Sequence, residues 1–191
     1  MPPPKGVDGL IEAGRDLYAA GLVTSHGGNL SMRALGAGDG GTLITATGAM
    51  LGRLVAEDFV PVAADGKPAP GVPAPSSNTT IHLAIYAAHP EAGAIIHAHL
   101  VHAIARTLAD DNELIEPANF EGKLFLPQVP VLPEGSEETP EVIAAALDLA
   151  TTPLVMVRGH GSFAIGTDIW NALMYSSSLE EAAQILTLTG R

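Results

Sequence analysis

The chain has 191 residues, enough for one globular domain whose core needs no covalent staples. A hydrophobic content of 47% against 16% charged residues excludes a disordered chain, and the absence of cysteine excludes disulfides and thiolate metal sites. A formal net charge of −12 argues against nucleic-acid binding, so any anionic ligand must be met by local donors: backbone N–H groups, hydroxyls or a single Arg.

The opening MPPPKGVDGL lacks the basic-then-apolar pattern of a secretory leader. No apolar run reaches the roughly 18–20 residues that span a bilayer. The expectation is a soluble, cytoplasmic protein with no membrane partner.

Residues 7–20 place Val7, Leu10, Ile11, Leu17 and Tyr18 at helical spacing, with Gly21 as a stop. GGNLSMRA and GTLITATGA read as two strands joined by a hairpin loop, GAGDGG. RLVAEDFV reads as a helical turn, and PVAADGKPAPG as a strand entering a turn. PSSNTTIHLAIYAAHPEAG is a helix, capped by Ser77 or Asn78 and ended by Pro90. AGAIIHAHL is a buried strand and VHAIARTLA a following helix. LFLPQVPVLP is a short or edge strand, because its prolines cannot donate to a ladder. TPEVIAAALDLA is a helix with Thr139 as cap and Pro140 at its first position. PLVMVRGHGSFAIG is strand, glycine turn, strand. Thr167 or Asp168 caps the last helix. Helices alternate with strands while the first hairpin is antiparallel, so a mixed sheet covered by helices follows. No repeat or linker divides the chain, and residues 1–191 read as one domain.

The stretch AIIHAHLVH carries three imidazoles within six positions. Side chains alternate along a strand, so His97 and His99 point the same way, roughly 6.5–7 Å apart. That spacing brings two ring nitrogens to one metal ion, which needs three or four ligands in all. His160 is the third candidate: it stands between Gly159 and Gly161, which allow a sharp turn that presents the ring. His82 reads as helix surface or as support behind the ligands. His89 reads as a cation at a helix C-terminus. His102 reads as helix surface or as a support for the metal ligands.

Three further stretches, SHGGNLS, TATGA and PSSN, are rich in small donors. Gly28 lets the backbone approach a ligand, Asn29 offers an amide, Thr47 and Gly48 end a strand, and Ser76 and Ser77 open a helix. A helix start with free N–H groups attracts anions. Together they form a cradle for a phosphorylated or carboxylated substrate.

These motifs, in this order and spacing and over nearly the whole chain, resemble the class II aldolase/adducin family. The resemblance implies an α/β fold, a three-layer α/β/α sandwich around a mixed, largely antiparallel sheet. It implies a homotetramer with active sites between subunits. It implies Zn2+, alternatively Mn2+ or Co2+, held by His97, His99 and His160. Gly28, Asn29, Thr47, Gly48, Ser76 and Ser77 then hold the phosphate of a small phosphorylated sugar or hydroxy-acid. The implied enzyme is a zinc-dependent lyase that makes or breaks a carbon–carbon bond through a metal-stabilised enediolate. Epimerisation, dehydration or decarboxylation on the same site, or a non-catalytic adducin-like binding role, are the alternatives.

The chain departs from the aldolase pattern at Asn78, where the aldolases carry a glutamate as ligand and acid/base. An amide cannot shuttle a proton near neutral pH. Glu121, read in a glycine-containing loop (NFEGKLF), is the candidate replacement carboxylate. Arg158 and Lys123 are candidate cations for an acidic substrate. Tyr175, within the last helix, reads as core.

Overall fold

A computed structural model describes residues 6–34 and 41–190. The elements follow in the order α1 (Val7–Ala19), β1 (Asn29–Arg33), β2 (Thr42–Thr45), β3 (Phe59–Val62), α2 (Thr79–Ala88), β4 (Ala94–Ala98), α3 (Val101–Ala109), β5 (Leu114–Ile115), α4 (Phe120–Phe125), β6 (Val129–Leu132), α5 (Pro140–Ala146), β7 (Leu154–Val157), β8 (Gly161–Gly166) and α6 (Ile169–Thr189). The hairpin loop expected over 36–41 lies, apart from Gly41, outside the described residues.

The strands form one sheet in the order β3-β2-β1-β4-β8-β7-β6-β5. Every pairing is antiparallel except β6 with β7. The mixed, largely antiparallel sheet is therefore as the resemblance implies. Helices cover both faces. One core joins Leu10 and Leu17 of α1, Ala103 of α3 and Leu179 of α6 to Ala94, Ile96 and Ala98 of β4. The other joins Ile81 and Ile85 of α2 and Ile143 of α5 to Ile95, Val155 and Phe163. The strict alternation along β4 follows from the period of two in a strand. It sends His97, next in line after Ile95, toward the α2–α5 layer.

Local chemistry explains most of the boundaries. In α1 the buried positions Val7, Leu10, Gly14 and Leu17 recur at helical spacing. Asp168 caps α6 by accepting from the N–H groups of Trp170 and Asn171. The prolines of LFLPQVPVLP are accommodated where ladder bonds are few: β6 is four residues long and next to the two-residue β5 at the sheet edge. RLVAEDFV holds only a 3-10 turn, Ala56–Asp58, before β3 begins at Phe59.

NFEGKLF is a short helix, α4, and not the loop expected from its glycine. Gly122 is there for close packing: a Cβ on it would stand 3.2 Å from the Ala182 side chain of α6 and 2.5 Å from that of Pro117. No helix among the described residues is long and apolar enough to cross a membrane.

Candidate active site

Antiparallel pairing brings the start of β1, the ends of β2 and β4, and the start of β8 to one edge of the sheet. Asn29 of β1 lies directly opposite His97 of β4, so their side chains share a face. His99 follows just beyond the end of β4, and His160 stands in the β7–β8 turn. Gly159 takes φ +69 in that turn. Gly161 lies so close to the two strand histidines that a Cβ would come within 3.0 Å of His99 and 3.2 Å of His97. Gly28, at φ +79, would press a Cβ against the His97 carbonyl at 2.7 Å.

The three rings converge. Their centroids are 4.9 Å apart for His97–His99, 4.9 Å for His97–His160 and 5.7 Å for His99–His160. One ligand atom from each lies within 4.8 Å of the others. Among the described residues this is the one such group of histidine or carboxylate ligands. His97 Nδ1 lies 2.9 Å from the Ser162 carbonyl oxygen. A carbonyl only accepts, so Nδ1 carries the proton and the lone pair sits on Nε2. That Nε2 faces His99 Nε2 at 3.0 Å. Burial holds the His97 imidazole well below its usual pKa, and neighbouring His99 and His160 add to the effect. Burial, then His160, lowers His99 as well. Both rings are therefore neutral near pH 7, the form that ligates. Three imidazoles with convergent nitrogens and no thiolate fit a divalent cation of the zinc type.

Beside the histidines is a pocket of about 270 Å3. Gly28, Asn29, Thr47, Gly48, Ser76, Ser77 and Asn78 line it together with His97, His99 and His160. The segment before α2 is stitched to the end of β2: Thr47 N–H donates to Ala74 O, Ser76 N–H to Thr45 O, and the Thr47 hydroxyl to Pro75 O at 2.7 Å. These bonds deliver the start of α2 to the histidines. Asn78 occupies the cap position of α2, yet its side chain caps nothing. Ser76 serves instead, its hydroxyl accepting from Asn78 N–H at 3.2 Å.

Other residues fall elsewhere. Glu121 is exposed on α4 and does not line the pocket. Arg158 donates to the carbonyls of Thr107, Asp110 and Asn112, so it closes the C-terminal end of α3 and is not free for a substrate. Lys123 is exposed on α4. His102 turns to Glu180 of α6 at 2.8 Å, away from the pocket. Tyr175 packs against the larger core. His89 Nε2 donates to Ala144 O at 2.8 Å, at the end of α2. His82 is fully buried, not on a helix surface. Its Nδ1 meets the Ser31 hydroxyl at 2.6 Å, and its ring meets the edge of Phe163, which stacks on His97 at 4.4 Å between centroids.

His26 also lines the pocket. The glycine pair that follows it, Gly27–Gly28, was the signal that could have found it. A larger depression of about 580 Å3 is lined by Asp110, Asp111, Glu113 and Glu116. It is acidic and has no convergent ring nitrogens, so size does not choose the site here.

A family model described as "Class II Aldolase and Adducin N-terminal domain" matches residues 8–187. A methylthioribulose-1-phosphate dehydratase of Acidiphilium cryptum is 32% identical over 181 residues, covering 90% of this chain and 84% of its own. A 3-oxo-tetronate 4-phosphate decarboxylase of Haemophilus influenzae is 30% identical over 187 residues, covering 95% and 87%. The crystal structure of L-fuculose-1-phosphate aldolase from Thermus thermophilus superposes with a TM-score of 0.83 at 31% identity, covering 96% of this chain and 93% of that one.

Proposed function

We propose, because the chain belongs to the class II aldolase and adducin family, that it is a metal-dependent lyase. In this reading it makes or breaks a carbon–carbon bond in a small phosphorylated sugar or hydroxy-acid, as a cytoplasmic homotetramer. One observation carries the reading: three imidazoles converge beside a pocket lined by hydroxyls, glycine backbone and amides. A purely structural module has no need of such convergence. The three relatives named above all take their names from phosphorylated compounds.

His97, His99 and His160 would hold the ion, with zinc the best match to three imidazoles and manganese or cobalt the alternatives. The chemistry such an ion supplies when bound is Lewis-acid polarisation of substrate oxygens, which stabilises charge developing at the breaking bond. Ser162 holds the His97 ring in the ligating tautomer. Phe163 stacks behind that ring and closes the inner side to water. Gly28, Asn29, Thr47, Gly48, Ser76 and Ser77 bind the phosphate with N–H and O–H donors. No lysine or arginine among the described residues lines the pocket. Asn78 orients a substrate oxygen by hydrogen bonding but moves no proton. Glu121 is the proposed acid/base. It does not line its own chain's pocket, and the Glu121→Gln variant below decides whether it takes part.

A second reading is favoured by a pocket lining that holds no carboxylate among the described residues. Loss of carbon dioxide from a 3-oxo acid breaks its bond without prior proton removal, so it needs no base at that step. The deciding experiment incubates the zinc-loaded protein with phosphorylated ketoses and with phosphorylated 3-oxo sugar acids. Release of an aldehyde supports the aldolase reading, and release of carbon dioxide the second. A Glu121→Gln variant is expected to lose about 10²–10⁴-fold in turnover. Unchanged turnover would remove Glu121 from the mechanism.

A further inference from the structure

The parallel pairing of β6 with β7 has a local consequence at the site. Parallel strands end at the same edge of a sheet. Leu132 pairs with Val157, and Arg158 N–H donates to Leu132 O at 2.9 Å. The chain leaving β6 therefore emerges beside the β7–β8 turn that carries His160. Gly135 turns it back at φ +83. The Ser136 hydroxyl donates to Pro133 O at 2.7 Å, and a 3-10 turn follows over Ser136–Glu138.

Glu137 of that turn faces His160. Its Oε1 lies 3.5 Å from His160 Nδ1. Its other oxygen, Oε2, and the His160 Nδ1 are both buried without a hydrogen-bond partner among the described residues. A buried carboxylate oxygen and a buried ring nitrogen are each costly to leave unpaired. At 3.5 Å the pair is at the outer limit of a hydrogen bond, and a small change of side-chain rotamer closes it.

We propose that Glu137 is a positioning residue for His160. Its carboxylate accepts the Nδ1 proton, fixes the tautomer and leaves the lone pair on Nε2 for a metal ion shared with His97 and His99. The inference rests on the metal reading given above. His97 and His160 are then held differently: His97 by the Ser162 carbonyl, His160 by a side-chain carboxyl group. A carboxylate behind a ligating imidazole both aims the ring and raises its basicity, and loss of such a partner costs roughly 10–100-fold in metal affinity. Nothing local marks Glu137, which stands among the other acidic residues Glu134, Glu138 and Glu141.

The test measures zinc affinity by chelator competition for the full chain and for Glu137→Ala and Glu137→Gln, beside the thermal midpoint of each metal-free protein. Glu137→Ala is expected to bind zinc about 10–100-fold more weakly with its metal-free midpoint little changed. Glu137→Gln keeps an acceptor oxygen and is expected to lose several-fold. A merely structural role would lower the midpoint and leave the affinity alone. Affinity within about twofold of wild type in both variants would overturn the inference while the metal site stands. The Gln variant alone decides should the Ala variant fail to fold. A wild-type chain that binds no zinc would remove the metal site and this inference with it.

Discussion

Two buried histidines, His97 and His82, both meet the ring of Phe163, and differ in what surrounds their nitrogens. His97 is 1% exposed and His82 is fully covered. Burial lowers both, pushing His82 down to about 3. His97 has two further imidazoles within 4.9 Å between centroids. His82 has a serine hydroxyl at Nδ1 and, among the described residues, no hydrogen-bond partner at Nε2. Burial with a lowered pKa is thus common to both positions, and convergence of ring nitrogens is what separates a ligand from a core residue. Position in the fold sets the difference: His97 is at the open end of β4, where loops meet, and His82 is inside α2, between the helix and the sheet.

The largest effect that would sharpen this contrast is on turnover. His97→Ala with His99→Ala is expected to reduce it by more than about 10³-fold. His82→Leu, which removes an equally buried ring, is expected to change turnover by less than about tenfold. Steady-state assays of both variants check this, and a comparable loss in the two would break the comparison.

The next effect is on stability against pH. The folded state holds His82 deprotonated down to about pH 3, while the unfolded chain takes up its proton near 6.5. The lowered pKa means that its contribution is complete above pH 6.5 and is lost as pH falls toward 3. The slope is about 1.4 kcal/mol per pH unit for this one group. Urea unfolding of metal-free wild type and His82→Leu at pH 7.5 and 5 should show a shallower loss in the variant. Parallel losses would show that His82 is protonated in the fold.

The smallest effect concerns the cradle. Ser77→Asp sets a carboxylate where an anion is proposed to sit, and KM for a phosphorylated substrate should rise about tenfold or more with kcat less affected. Competition by inorganic phosphate, measured alongside, should weaken in step.

Much of the site was legible because its residues are unusual for their places. Two histidines alternating behind Ala94–Ile96, and one between glycines, have few purely structural explanations. The donors of the cradle were legible as strand ends and a helix start, and β1, β2 and α2 deliver all of them to one pocket. What was not legible depended on packing between distant elements. Glycine in NFEGKLF suggested a loop, but Gly122 serves the close approach of α4 to α6. Arg158 read as a candidate cation for a substrate, but the fold places the carbonyls at the end of α3 beside it. His82 looked like helix surface because α2 is apolar almost all round and gives little hint of which side the sheet covers. Glu137 required the parallel pairing of β6 with β7, which no local pattern announces.

The central claim is that His97, His99 and His160 form a metal centre. Elemental analysis of the purified protein after incubation with zinc, beside the His97→Ala, His99→Ala double variant, tests it most directly. The account predicts about one zinc ion per wild-type chain, since the three imidazoles make one site, and none in the variant. A wild-type chain without metal, or a variant that retains it, would contradict the account.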